Sequence, residues 1–435
     1  MRSLHSRVSI LATLLLQLFI FYRVSNAEIT SLHGAQSISA FTNSEEKVKF
    51  LIGFDGLVGY DLAHAHRNFV DVFVDAANAT DFKKQLEQRN ITYRVNADNL
   101  EKKFKEETNA RIKAQLSSRF SYFAQRPSHD RYSDYDGIIE QVRELVRYRS
   151  NVARMGIIGY SYERRPIYAV KIGKGEGGVK PAIVIDAGIH AREWIAPAAV
   201  LYFIDQLLTN QTNYYMYEKV DWYIIPVLNP DGYQFTHSSS ENRLWRKTRS
   251  PSNYPKCPGT DANRNFDLAW MAVGASSYPC AQTYAGPRAF SEPEARALKD
   301  FILLLDGTAK LYLSFHSYGQ YILYPWGFTH EVPENEKTLR ALASSVSKAI
   351  YSVYGTKYVY GTSANALYPA AGGSDDWAMG RGGVDLAYTI ELPGGGSVGF
   401  DMPPSQIKRV GYETFQGLKV FHHHVEVKYG SYIWH

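Results

Sequence analysis

The string His190-Ala-Arg-Glu193 sets an imidazole and a carboxylate three positions apart, directly after the apolar run Ala182 to Ile185. With His316 far downstream, the chain offers three groups that can hold a zinc ion. Side chains at this spacing can aim at one point from a tight turn, and the distant histidine joins them only once the chain has folded. Three protein ligands leave one coordination position open, which suits catalysis rather than a closed structural site.

The pair alone is a weak signal. In a chain with 13 histidines, chance gives about 0.6 such pairs, and His423 with Glu426 repeats the spacing. That second pair lies in an apolar and aromatic tail, and with the run His422 to His424 it reads as a helix surface. The surroundings separate the two pairs. Pro181 to Ile189 reads as a buried strand and Trp194 to Leu201 as the start of a helix, so the first pair sits at a strand's carboxyl end. Ligand sites in open α/β sheets gather there.

The elements that must carry these groups alternate along the chain. Strand patterns at Ile167 to Ile172, Ala182 to Ile189, Trp222 to Leu228, Leu311 to His316 and Asp385 to Leu392 are interleaved with helical ones at Asp136 to Tyr148, Pro197 to Leu208, Leu339 to Tyr354 and Ser405 to Val427. This predicts an α/β class: a mixed, mostly parallel twisted sheet with helices on both faces. Ahead of it, strand patterns at Val48 to Ile52, Phe69 to Val74 and Ile91 to Val95, with helices at Ala79 to Glu87 and Leu100 to Leu116, predict a small α+β unit.

At the start, Arg2 and Arg7, the apolar stretch Val8 to Phe21 and Val24-Ser-Asn-Ala27 predict a signal peptide over residues 1–27. The stretch is shorter than the roughly 20 residues that span a bilayer, so a secreted, extracellular product with no membrane attachment after signal removal is expected. Export makes one bridge between the two cysteines, Cys257 and Cys280, the economical pairing. A net charge of +5 over 435 residues, without a basic tract, gives no reason to expect nucleic acid.

Several strings recur in order: His190-Ala-Arg-Glu-Trp194, Asn229-Pro-Asp-Gly232, Asn242 to Arg249, Asp261-Ala-Asn-Arg-Asn265, Ser314-Phe-His-Ser-Tyr318, Tyr368 to Trp377 and Tyr388-Thr-Ile-Glu-Leu392. The chain closely resembles the secreted zinc metallocarboxypeptidases of the pancreatic A/B type, the B type most of all. The resemblance implies three parts: the signal over 1–27, an activation prosegment with an antiparallel sheet over 28–119, and a catalytic domain with the zinc carboxypeptidase fold over 120–435. It implies one zinc per chain on His190, Glu193 and His316, with Glu391 as the general base and Arg246 stabilising the oxyanion. Asn263 and Arg264 would hold the substrate's terminal carboxylate, since a planar guanidinium grips one through two bonds. Tyr368 would close over that carboxylate, Arg192 and Tyr318 would line neighbouring substrate positions, and Phe400 would line the pocket.

Asp375 is the specificity residue that the resemblance implies. It stands where A-type enzymes carry an apolar residue and B-type enzymes an aspartate, with Ser363 and Gly327 at the matching wall positions small enough to leave room. A buried carboxylate there favours a lysine or arginine side chain and penalises an apolar one. The rival role for Asp375 is a helix cap, as Ser-Asp-Asp strings often are, and an A-type enzyme would require the residue to turn away from the pocket. The expected partners are peptides or proteins with free C-termini and a trypsin-like protease cutting near Arg119. A peptide-binding homologue without activity would show a missing ligand or base, and none is missing. One departure stands out: Pro393-Gly-Gly-Gly-Ser397 replaces the charged pair that follows the base in pancreatic relatives.

Overall fold

The strands β1 (Gln36–Phe41), β2 (Tyr60–Ala65), β3 (Phe69–Val74) and β4 (Thr92–Ala97) form an antiparallel sheet in the order β2-β3-β1-β4. Alternation splits its two faces. Ile38, Val70 and Val72 pack on Leu51, Phe82 and Leu86 from the helices Glu45–Ile52 and Ala79–Gln88. Ala63 and Phe73 face the opposite way, into a cluster with Leu244, Val398 and Phe400 of the larger unit. The computed structural model describes residues 31–118, 127, 129–175 and 180–430, so the expected signal peptide and the expected cut near Arg119 lie outside the described residues.

The strand expected at Val48 to Ile52 is instead part of the helix Glu45–Ile52. Ser44 caps it by accepting from the Lys47 amide, and Glu45 and Glu46 complement the first turn. An apolar run of five residues fits either element, and the start signal decides.

The second sheet comprises β5 (Ala153–Tyr160), β6 (Pro166–Ile172), β7 (Ala182–Ala187), β8 (Asp221–Ile225), β9 (Ala309–Ser317), β10 (Tyr321–Tyr324), β11 (Val359–Thr362) and β12 (Leu386–Leu392). Its order is β11-β10-β12-β9-β7-β8-β6-β5, with the central strands β12, β9, β7 and β8 parallel and antiparallel pairings on either side. Helices cover both faces, because the central strands are apolar on both. Ile183, Ile185, Leu311 and Leu313 pack with the helices Tyr135–Tyr148, Ile195–Thr209, Glu336–Tyr354 and Ile407–Tyr429. Val184 and Tyr312 pack on the other side with Pro293–Leu304 and Ser374–Gly380. The architecture is therefore the mixed α/β sheet that the pattern predicts.

The histidine run in the last helix departs from a plain surface reading. His423 is exposed, but His422 is buried and stacks on Trp222 at an interplanar angle of 11°. Its place between Leu418 and Val425, four residues back and three forward, puts it on the core-facing stripe.

Cys257 and Cys280 are joined in a disulfide across a sequence separation of 23. The bridge closes the loop that carries Asp261, Asn263 and Arg264. In the chain-entropy account a loop of this size contributes about 3 kcal/mol. The Cys257→Ser/Cys280→Ser double variant is expected to unfold at clearly lower denaturant; an unshifted midpoint would deny the bridge any role in stability.

Candidate active site

Two neighbouring strand ends and the loop after a third bring the chemistry together. β7 delivers His190 and Glu193 just beyond its last residue, before the helix Ile195–Thr209. β9 carries His316 as its penultimate residue, and in β12 Glu391 lies directly opposite His316 in register. Strands that run parallel end on the same edge, so groups scattered over two hundred positions of sequence meet there.

His190, Glu193 and His316 are buried, and their ligand atoms all lie within 4.8 Å of one another. His190 Nδ1 is 2.8 Å from Glu193 Oε1; His316 Nδ1 is 3.1 Å from Glu193 Oε2 and 3.1 Å from His190 Nδ1. Two imidazole nitrogens and a carboxylate facing one point call for a cation between them. Burial alone would lower the His316 imidazole, yet Glu193 pushes it up to about 9. Burial likewise opposes ionisation of Glu193, but the two imidazoles hold its carboxyl below the usual range. This donor set fits zinc.

The far nitrogens of both rings are also held. His190 Nε2 meets Asp261 Oδ1 at 3.1 Å. His316 Nε2 meets Ser314 Oγ at 3.0 Å, and Ser314 Oγ in turn donates to Asp186 at 3.1 Å. Such contacts fix ring orientation and leave Nδ1 free to bind a metal. Asp261 also accepts from Arg246 Nη2 at 2.8 Å and from the Asn263 amide at 2.9 Å. Burial would raise its carboxyl, but Arg246 and His190 hold it well below the usual range. Asp261→Asn is expected to weaken zinc binding about 10- to 100-fold, read by competition with a chelator; unchanged affinity would remove it from the metal's support.

Arg246 is half-buried and lies within 3.8 Å of Glu193, and its carbonyl receives the Ala191 amide at 3.0 Å, which ties it to the ligand loop. Its neighbours Arg243 and Lys247 are buried, so this basic string is not a solvated face. Arg243 Nη1 donates to the Arg192 carbonyl and Lys247 Nζ to the Pro279 carbonyl. Glu391 borders the same cavity, and its Oε2 has no hydrogen-bond partner among the described residues. Burial pushes its carboxyl up to about 8.

Around these groups the cavity is lined by Asn263, Arg264, Tyr368, Asp375, Gly327 and Ser363. Arg264 Nη2 reaches Tyr368 Oη at 3.3 Å. Asp375 is buried in the first turn of the helix Ser374–Gly380, whose cap position is Gly373, so it is not the cap. Its Oδ2 accepts from Thr389 Oγ1 at 3.1 Å, and burial raises its carboxyl. The adjacent Asp376 points elsewhere and accepts the amides of Gly327 and Phe328.

Arg192, Tyr318 and Phe400 do not border the cavity. They form a separate cluster beside it, with the Arg192 guanidinium 4.7 Å from the Phe400 ring and Tyr318 edge-on to Phe400 at 4.9 Å. The glycine-rich departure is shaped to this cluster: a Cβ at Gly394 would fall 2.9 Å from Tyr318, and just beyond the departure one at Gly399, where φ is +83°, would fall 2.1 Å from the Tyr318 ring.

Strand β2 of the first sheet closes the cavity, contributing Leu62, Ala63, His64 and Ala65 to its lining. Asp61 accepts from Arg192 Nη1, and the Leu62 and Ala63 carbonyls accept from Nη2 at 2.9 and 3.2 Å. Sequence reasoning gave no role to Asp261, Asp186, Ser314 or β2. Asp261 stands inside a recognised string, which was the available signal; β2 carries none.

Comparison with known proteins agrees with this arrangement. The zinc carboxypeptidase family matches residues 138–417, and the carboxypeptidase activation peptide family matches residues 38–107. Carboxypeptidase B of Astacus astacus is 46% identical over 300 residues, covering 68% of this chain and 98% of that protein. Zinc carboxypeptidase A 1 of Drosophila melanogaster is 37% identical over 407 residues, covering 91% and 90%. The crystal structure of carboxypeptidase A from Helicoverpa armigera superposes with a TM-score of 0.84 at 30% identity, covering 91% of this chain and 98% of that one. Matched over more than half its length, and preceded by the activation peptide, the chain belongs to the zinc carboxypeptidases.

Proposed function

We propose that this zymogen is secreted and that, once its prosegment is cut away near Arg119 by a trypsin-like protease, it removes C-terminal lysine and arginine from peptides and proteins. The observation that carries the B-type reading is Asp375, a buried carboxylate bordering the cavity between the small walls of Gly327 and Ser363. A cationic side chain pairs with it, whereas an apolar one strands a buried charge. The parts of this reading are a signal over 1–27, a prosegment over 28–119 and a catalytic domain over 120–435. The family matches within the last two support that division, and among the described residues no helix is long and apolar enough to cross a membrane.

Zinc held by His190, Glu193 and His316 supplies a Lewis acid for the scissile carbonyl and for the attacking water. Glu391, which borders the cavity and has one oxygen without a partner among the described residues, takes the water's proton and returns it to the departing amine. Arg246, fixed by Asp261, donates to the oxygen on which negative charge develops. Arg264 and Asn263 hold the terminal carboxylate, with Tyr368 closing over it, while Arg192, Tyr318 and Phe400 receive residues further upstream.

Matched peptides ending in arginine or phenylalanine test the proposal on the trypsin-trimmed protein, with and without chelator. Preference for arginine that the chelator abolishes is the expected result. Equal or reversed preference would instead favour A-type activity, the type for which the Drosophila and Helicoverpa relatives are named.

A further inference from the structure

The prosegment meets the catalytic unit through carboxylates, Asp61 and Asp71 buried and Asp55 and Glu107 partly so, each received by donors that the catalytic unit supplies. Asp61 takes Arg192 Nη1 on both oxygens, at 3.0 and 3.3 Å. Asp71 accepts from Tyr318 Oη at 2.6 Å. Asp55 sits in a nest made by the Gln282 amide at 2.8 Å, the Thr283 amide at 3.3 Å and Thr283 Oγ1 at 2.7 Å. Further out, Glu107 accepts from Arg243 Nε at 3.2 Å. A cover for a cleft could be apolar throughout, and burying carboxylates is costly unless the opposing surface is built to receive them. The three acid receptors sit at the cleft: Gln282 and Thr283 line the cavity, Arg192 lies between two proposed metal ligands, and Tyr318 follows His316 by two residues.

These donors belong to the catalytic unit and stay with it when the prosegment leaves. Arg192 keeps Phe400 beneath its guanidinium and a 3.4 Å contact to the Leu244 carbonyl, while its Nε has no partner among the described residues. Of the acids on this rim, Asp401 is turned inward: it accepts the Ser397 and Val398 amides and meets Lys103 of the prosegment at 2.9 Å. Arg192 also takes two β2 carbonyls, which is how an extended substrate backbone would lie across it.

We propose that this uncovered face reads acidic side chains in the substrate, upstream of the residue removed, with Arg192 and the Gln282–Thr283 nest as the receptors. The proposal rests on the carboxypeptidase reading above and names a further feature of the substrate. The prosegment's acids then occupy places meant for the substrate's own.

The test uses the full chain trimmed by trypsin and five-residue peptides with one C-terminal residue, their positions before the last two filled with Glu, Ala or Lys. The expected kcat/KM order is Glu above Ala above Lys, spanning about tenfold and narrowing as salt is raised. Arg192→Gln and Thr283→Val should each shrink the Glu/Lys ratio. Because both rates in that ratio come from the same protein, any loss of metal in a variant cancels. A flat ratio in the unmutated enzyme, or one that neither variant changes, would overturn the proposal. Its failure is separable from failure at Asp375, since the upstream ratio is measured on whichever terminal residue, arginine or phenylalanine, the enzyme turns over.

Discussion

Glu391→Gln is expected to lower kcat by about 10³-fold while the protein keeps its zinc. The amide preserves the size of the side chain but cannot accept a proton from water. It leaves His190, Glu193 and His316 untouched, because Glu391 stands across the strand pair from His316 and outside the ligand cluster. Metal content by atomic absorption should therefore match the unmutated protein. The pH profile gives a second reading. Burial pushes the Glu391 carboxyl up to about 8 against the opposing pull of His316, Arg246 and Arg264, and a zinc ion at the site would lower it further. A base works only when ionised, so activity should fall as pH drops through that pKa, and the residual rate of the variant should lose this acidic limb. A variant that retained more than a tenth of the activity would move the base elsewhere.

Asp375→Leu is expected to cut kcat/KM for arginine-ending peptides by about 10²- to 10³-fold, the cost of leaving one member of a buried ion pair without its partner. The same change should raise turnover of phenylalanine-ending peptides, because the pocket then lacks a charge that an apolar side chain would strand. Asp375 now accepts from Thr389 Oγ1 and from the Asp376 amide. The leucine variant leaves both donors facing an apolar group, so the gain for phenylalanine should be smaller than the loss for arginine. If arginine turnover persists unchanged, the acid is not what reads the terminal residue.

The contrast between Asp375 and Asp376 illustrates what the sequence could and could not carry. Two adjacent aspartates are indistinguishable by type, and only the ordered set of strings selected the first as the pocket residue. In the fold, Asp376 is spent on two backbone amides and Asp375 faces the cavity. His190, Glu193 and His316 stood out because strand ends and spacing leave a local pattern, whereas Glu391 was singled out only by the ordered strings. Asp261 was not, since its position is defined by two side chains that approach from 15 and 71 residues away. The helix Glu45–Ile52 was misread for the opposite reason: its apolar run is too short to show a period, and the information lay in Ser44 and the two glutamates. Strand β2, Tyr-Asp-Leu-Ala-His-Ala, carries little apolar weight: it forms a hairpin with β3, but its own residues show no clean apolar alternation to mark it as a strand.

The contact between the prosegment and the cleft is held by a few discrete polar clasps, Asp55, Asp61, Asp71 and Lys103 among them, around a modest apolar patch. Such an interface is strong while covalent linkage keeps both halves at millimolar effective concentration. Cutting the connection changes none of the clasps, yet it exchanges that local concentration for the dilute one of the surroundings. With the cut proposed above, latency becomes a property of the tether as much as of the lock, and dilution shifts the balance toward the uncovered cleft.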